Sequence, residues 1–156
     1  MQFEKYEIRT SSSFLRFEFY SIGPKGKIKK QVIFKAFKEN PEVFNLAFGD
    51  VGKNGEVNDL IITGNKDSKK VLATVVATVF KFFEKYPNAY IFATGSTKSR
   101  TRLYRIGITN NLQEMNKSFE LYGYINQNWE KFEKNKDYEA FLAKLISEKN
   151  SNFEKI

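Results

Sequence analysis

At 156 residues and 18.2 kDa the chain is long enough for one domain with a real core and short of the size at which two independent cores form. It is 41% hydrophobic and 28% charged and contains neither cysteine nor histidine, which excludes a disulfide framework, thiolate zinc clusters and thiol nucleophiles. It also lacks the commonest general base and transition-metal ligand, so no metal and no cofactor is expected, while a net charge of +8 favours anionic partners.

In chain order, residues 1–13 mix Glu4, Lys5, Glu7 and Arg9 and do not read as a secretory leader. Residues 14–22 read as a strand with Leu15, Phe17 and Phe19 on one face and Arg16, Glu18 and Tyr20 on the other. Gly23-Pro24-Lys25-Gly26 is a turn, and an antiparallel strand follows over 27–37. Asn40-Pro41 breaks the chain before a third strand over 43–48, and a glycine-rich loop at 49–55 leads to a fourth over 57–63. These four strands form an antiparallel meander.

Asp67 or Ser68 then caps a helix with Val71, Leu72, Val75, Val76, Val79, Phe80, Phe83 and Tyr86 on its core-facing stripe, stopped by Pro87. Its apolar run over 71–83 is interrupted by Thr74, Thr78 and Lys81 and falls short of the roughly 20 residues that cross a bilayer. No membrane partner is therefore expected, and a cytoplasmic location follows. A strand over 89–94 enters a helix over 98–116 capped by Ser96 or Thr97, with Gly107 letting it approach the sheet; a strand over 103–109 is the alternative. Another strand spans 119–125, and a loop at 126–128 leads to Trp129, which could stack a base or plug a core edge. Asp137 caps a final helix holding Tyr138, Phe141, Leu142, Leu145 and Ile146. The expected class is α+β, an antiparallel sheet of four meander strands plus one or two later ones, covered by two or three helices. One domain would span 1–147, with a frayed tail over 148–156.

The positive charge is segregated. Residues 19–38 hold Lys25, Lys27, Lys29, Lys30, Lys35 and Lys38 with no acid, and residues 85–113 hold Lys85, Lys98, Arg100, Arg102 and Arg105, again with no acid. Together the windows carry +11, leaving −3 elsewhere. Lys25, Lys27, Lys29 and Lys30 fit either a phosphate-binding hairpin or a solvated one. The second window places Lys98, Arg100 and Arg102 in the first turn of a helix, where the macrodipole disfavours cations by about 0.3–1 kcal/mol each unless an anion is present. A bound phosphate would meet free backbone amides, the hydroxyls of Ser96, Thr97, Ser99 and Thr101, and bidentate arginines. The alternative has Arg100, Arg102 and Arg105 pairing with Asp50, Asp59 or Glu114. The spacing of a P-loop or of a GxGxxG fingerprint is absent, so nucleotide hydrolysis is not supported.

Three segments, GPKGKIKK at 23–30, NLAFGD at 45–50 and ATGSTKSRTRLY at 93–104, resemble those of a bacterial domain family of about this length and unknown function. The resemblance covers nearly the whole chain and implies a stand-alone domain; it carries over no catalytic residue. By element order alone, four antiparallel strands and a helix also resemble the unit of the Whirly and PUR-type single-strand-binding folds, although the second half departs from a repeat of it.

Three functions fit these observations. The first is binding of single-stranded or structured RNA or DNA, with phosphates on the lysine hairpin and the arginine-rich helix start and with Tyr20 and Tyr104 stacking bases. The second is an enzyme or effector acting on a phosphorylated ligand, with Asp50 or Asp59 opposite Arg100 and Arg102. The third is a module for an acidic protein partner, of the toxin–antitoxin or phage-defence type. Binding fits better than catalysis, since the site offers no obvious nucleophile or base.

Overall fold

Period-two alternation builds the first half of the sheet. In the computed structural model, which describes residues 3–52, 54–55, 57–58 and 63–146, the short β1 (Arg9–Thr10) pairs with β2 (Arg16–Gly23), followed by β3 (Gly26–Ala36), β4 (Val43–Val51) and the two-residue β5 (Val57–Asn58). Successive pairs from β1 to β5 are antiparallel, so the expected meander is present. The rest of the expected fourth strand, 59–62, lies outside the described residues. Phe17 and Phe19, Val32 and Phe34, and Leu46 and Phe48 all point inward from alternate positions.

They meet α1 (Ser68–Lys85), which supplies the parallel crossover from β4 to β6 (Tyr90–Ala93). The helix buries a wider face than its apolar stripe suggests, taking in Thr74, Thr78 and Phe82. Thr74 and Thr78 donate their hydroxyls to backbone carbonyls, Lys70 and Val75 respectively, which satisfies them inside the core. Phe82 is fully buried and stacks on Phe34 with centroids 4.5 Å apart. Phe17, Phe19, Phe34, Phe48 and Phe82 are each at most 1% exposed. Burying one such ring contributes about 1.5–3 kcal/mol, against about 0–1 for a surface ion pair, so this aromatic layer dominates the fold's energetics.

The second half keeps the α+β class but not all of the expected elements. The expected 98–116 helix is two helices, α2 (Lys98–Asn110) and α3 (Leu112–Asn116), broken where buried Asn111 turns its own amide side chain onto the Gly107 carbonyl. Gly107 faces α1 and not the sheet; a Cβ there would meet Leu72 at 3.5 Å, an ordinary contact. Then come β7 (Phe119–Ile125), β8 (Asn128–Lys131) and β9 (Ala140–Leu145). Trp129 thus sits in a strand, because Asn126 and Gln127 both take positive φ and close a two-residue hairpin. The expected final helix is β9, which lies between β6 and β7. Its apolar residues fall at a helical spacing because this central strand carries Leu142, half-buried on the helix-free face, between buried Phe141 and Ala143 on the other, so the alternation is lost.

The sheet order is β1-β2-β3-β4-β6-β9-β7-β8, with β5 beside the end of β4. This one continuous sheet is not two copies of a Whirly-like unit. The three helices among the described residues lie on the same face, since α1, α2 and α3 share with β4, β6, β7 and β9 an apolar cavity of about 60 Å³. No described helix is long and apolar enough to cross a membrane. The expected tail, 148–156, lies outside the described residues.

A buried ion pair lies at the edge of the apolar layer. The Lys30 ammonium, 1% exposed, donates to the Asp50 carboxylate at 2.6 Å and to the Thr63 carbonyl, while the Thr63 amide donates to the other Asp50 oxygen. Asp50→Ala strands a buried cation and should lower unfolding free energy by about 3–5 kcal/mol, whereas Lys30→Met combined with Asp50→Leu should cost less, both read from urea denaturation. Gly107→Ala should leave stability unchanged or raise it by up to about 1 kcal/mol, and Gly107→Val should lower it as its methyls reach Leu72.

Candidate functional site

The strand-to-helix turn after β6 packs tightly before α2 begins. Thr97 is the N-cap, extended at φ −138° and ψ 167°, and its hydroxyl accepts from the Arg100 amide. Neither Ser96 nor an acid takes that role, and the first turn of α2 holds no acidic residue. Buried Thr101 donates to the Thr97 carbonyl and accepts from the Gly95 amide, folding the turn back on the helix. A Cβ at Gly95 would lie 2.4 Å from both Arg100 Cβ and the Thr101 nitrogen, so only glycine permits this closure. Helical geometry leaves the amides of Lys98 and Ser99 without an intrahelical acceptor.

This turn forms one wall of an open cleft of about 810 Å³, with Ser96, Thr97, Lys98, Arg102 and Arg105 along it. The opposite wall comes from Ile125 and Asn126 at the β7–β8 hairpin and from Asp137, Tyr138 and Glu139. Arg105 donates to the Asp137 carboxylate and to the Lys136 carbonyl, which bridges the walls. Asp137 therefore pairs with Arg105 and caps no helix. Arg102 is exposed on the cleft, whereas Arg100 is half-buried, interacts within the chain and does not line it. Tyr104 also interacts within the chain and lines the apolar cavity beneath α2.

The lysine window is divided by strand alternation. Lys30 points inward to Asp50, so its role is structural, while Lys27 lies over the Tyr20 ring at 4.3 Å and Lys29 pairs with Glu18 at 3.2 Å, both on the helix-free face. Lys25 is exposed on the hairpin turn, its amide donating to Asn65. The hairpin does not line the cleft. Nor does Asp50, whose two carboxylate oxygens are taken by Lys30 and Thr63, and Glu114 pairs with Lys5. Asp59 lies outside the described residues. Of the two acids expected opposite Arg100 and Arg102, Asp50 is thus engaged elsewhere.

Sequence reasoning missed the far wall. Residues 132–139 cross from β8 to β9 over the helix-side face of β7, where Tyr138 occupies the space above Gly123. The segment is held by Glu130, which accepts from Lys136 at 2.7 Å and from the Tyr138 hydroxyl at 2.7 Å; Lys136 also pairs with Glu133. The one visible signal was the density of acids, with Glu130, Glu133, Asp137 and Glu139 falling within residues 130–139.

Those contacts set a pH response. Hydrogen bonds from Lys136 and Tyr138 hold the Glu130 carboxyl below the usual carboxylate range, and the same acids raise the Lys136 ammonium. Burial and the Glu130 hydrogen bond raise the Tyr138 hydroxyl. A carboxyl depressed on folding stabilises the fold above its unfolded pKa, and that contribution disappears as pH falls through the folded value. Glu130→Gln should therefore be less stable than wild type at neutral pH, with the gap in melting temperature closing on acidification below the carboxylate range.

No curated protein and no solved structure matches the chain significantly. A family model does match it over residues 2–146, nearly the whole length, and the chain accordingly belongs to that family of unknown function, DUF6934.

Proposed function

We propose that the protein binds nucleic acid and holds its phosphates in the cleft at the start of α2. The observation that carries this reading is the acid-free first turn of α2, opening with Ser96, Thr97, Lys98 and Arg102 onto a cleft of about 810 Å³. Free amides and the macrodipole favour an anion there, and Arg102 offers bidentate contacts to it. The openness and polar lining of the cleft suit a backbone that passes through. A small-molecule pocket would be more enclosed and more apolar. Catalysis on a phosphorylated ligand has less support, because Asp50 is bound by Lys30 and Thr63.

Filter binding with mixed-sequence oligonucleotides at low ionic strength should show micromolar or tighter retention that weakens steeply with salt. Lys98→Ala and Arg102→Ala should each reduce the slope of log affinity against log salt by about 1 while leaving the melting temperature unchanged. Absence of salt-dependent retention would overturn the proposal. Retention of an acidic protein after nuclease treatment, without oligonucleotide binding, would replace it with the acidic-partner reading.

A further inference from the structure

The face of the sheet opposite the helices has its own pattern. Cross-strand register aligns Lys35, Asn45, Phe92, Leu142, Tyr122 and Lys131 in one row across six strands. At about 4.8 Å per strand the row is about 24 Å long, with a lysine at each end. Beside it Tyr124 lies opposite Trp129, which is 43% exposed. Trp129 approaches Tyr124 at 5.2 Å and Phe92 at 6.2 Å between centroids, tilted by 58° and 72°, so neither ring is stacked flat on it. Three of the four exposed large apolar side chains among the described residues, Ile22, Phe37 and Trp129, belong to this face.

We propose that this helix-free face is a second binding surface, on which bases of a single-stranded nucleic acid stack while lysines at the ends of the row meet its phosphates. Aromatic rings on a sheet, flanked by cations, accept the π-face of any base, and duplex DNA keeps those faces hidden. Charge selects this occupant over a second copy of the chain. β2 and β3 turn Arg16, Lys27, Lys29 and Lys35 outward against Glu18, and β8 and β9 turn Lys131 and Lys144 outward against Glu120. A two-fold dimer through the face would set these cations against themselves.

Trp129 is the sole tryptophan, so its fluorescence reports on the face directly. Titration with a short oligothymidylate should quench it saturably, and neither a duplex of matching length nor inorganic phosphate should do so. Trp129→Ala and Tyr124→Ala, followed by anisotropy of a labelled oligonucleotide, should each weaken binding about tenfold. Lys131→Ala, a surface change that leaves the fold intact, should lower the salt slope. Quenching should persist in Arg102→Ala, which separates this surface from the cleft. Oligonucleotide binding without Trp129 quenching, and unweakened by these variants, would overturn the inference and leave the cleft reading standing. No oligonucleotide binding at all would overturn both. A fluorescence shift that follows protein concentration alone, with dimer in sedimentation, would assign the face to a second copy instead.

Discussion

The buried Lys30–Asp50 pair fixes the geometry on which the rest of the molecule depends. An ammonium 1% exposed is tolerable only with its charge matched and hydrogen-bonded; Asp50 supplies the charge, and Asp50 and the Thr63 carbonyl accept from it. Because Asp50 also receives the Thr63 amide, the contact welds β3 and β4 to the segment entering α1. That segment is then tied further. Asn65 donates to Ser21 and to the Gly26 carbonyl, and the Asp67 carboxylate accepts from Ser21 and Tyr6. Asp67 stands at the N-cap of α1 yet makes no capping hydrogen bond; its carboxylate serves this clamp, with Oδ2 accepting from both Ser21 and Tyr6. Local helix stabilisation is given up for a long-range anchor.

From that anchor the remaining positions follow. α1 runs back across the sheet over its aromatic layer, and α2 lies on it with Gly107 facing Leu72. Once α2 is placed on α1, its first turn has to emerge at the end of β6, where Gly95 and Thr101 close the corner. The far wall of the cleft depends on different forces, the Glu130–Lys136–Tyr138 contacts and the Arg105–Asp137 pair. One wall is therefore anchored in the hydrophobic core and the other by charge-assisted hydrogen bonds near the surface. Acidification weakens the second wall once Glu130 loses its charge.

Much of this was legible wherever local and global preferences agree. The alternation around Phe17 and Phe19, the turn at Pro24, the long stripe of α1, a hydroxyl cap at Ser96 or Thr97 and the strand over 119–125 all satisfy their local rule and their tertiary role together. The misreadings fall where apolar residues on more than one side of an element erase the pattern. β9 is central, so Phe141 and Leu142 are both apolar although they face opposite ways, and the run imitates a helix. Phe82 falls off the narrow stripe of α1 because that helix is buried over more than one face. The hairpin at Asn126-Gln127 lacks the glycine that usually announces positive φ. The far wall was hidden for another reason: its placement depends on pairings between β7, β8 and β9 that no local spacing records.

Strand alternation also explains how one acid-free run of lysines serves two ends. Within β3 the side chains of Lys27, Lys29 and Lys35 go to the helix-free face, while Lys30, one step out of phase, goes to the core. The inward lysine requires an acid across the sheet, and Asp50 on β4 supplies it. The outward lysines are matched more sparsely, Lys29 by Glu18 and Lys27 by the ring of Tyr20. A sheet that needed only to be soluble on that face would gain nothing from exposing Trp129 beside Phe92 and Tyr124, since exposed aromatic surface opposes solubility. Rings at the centre with cations at both ends is the distribution a stacked, negatively charged strand requires, and the register of the sheet, set in part at Lys30 and Asp50, is what brings those residues into line.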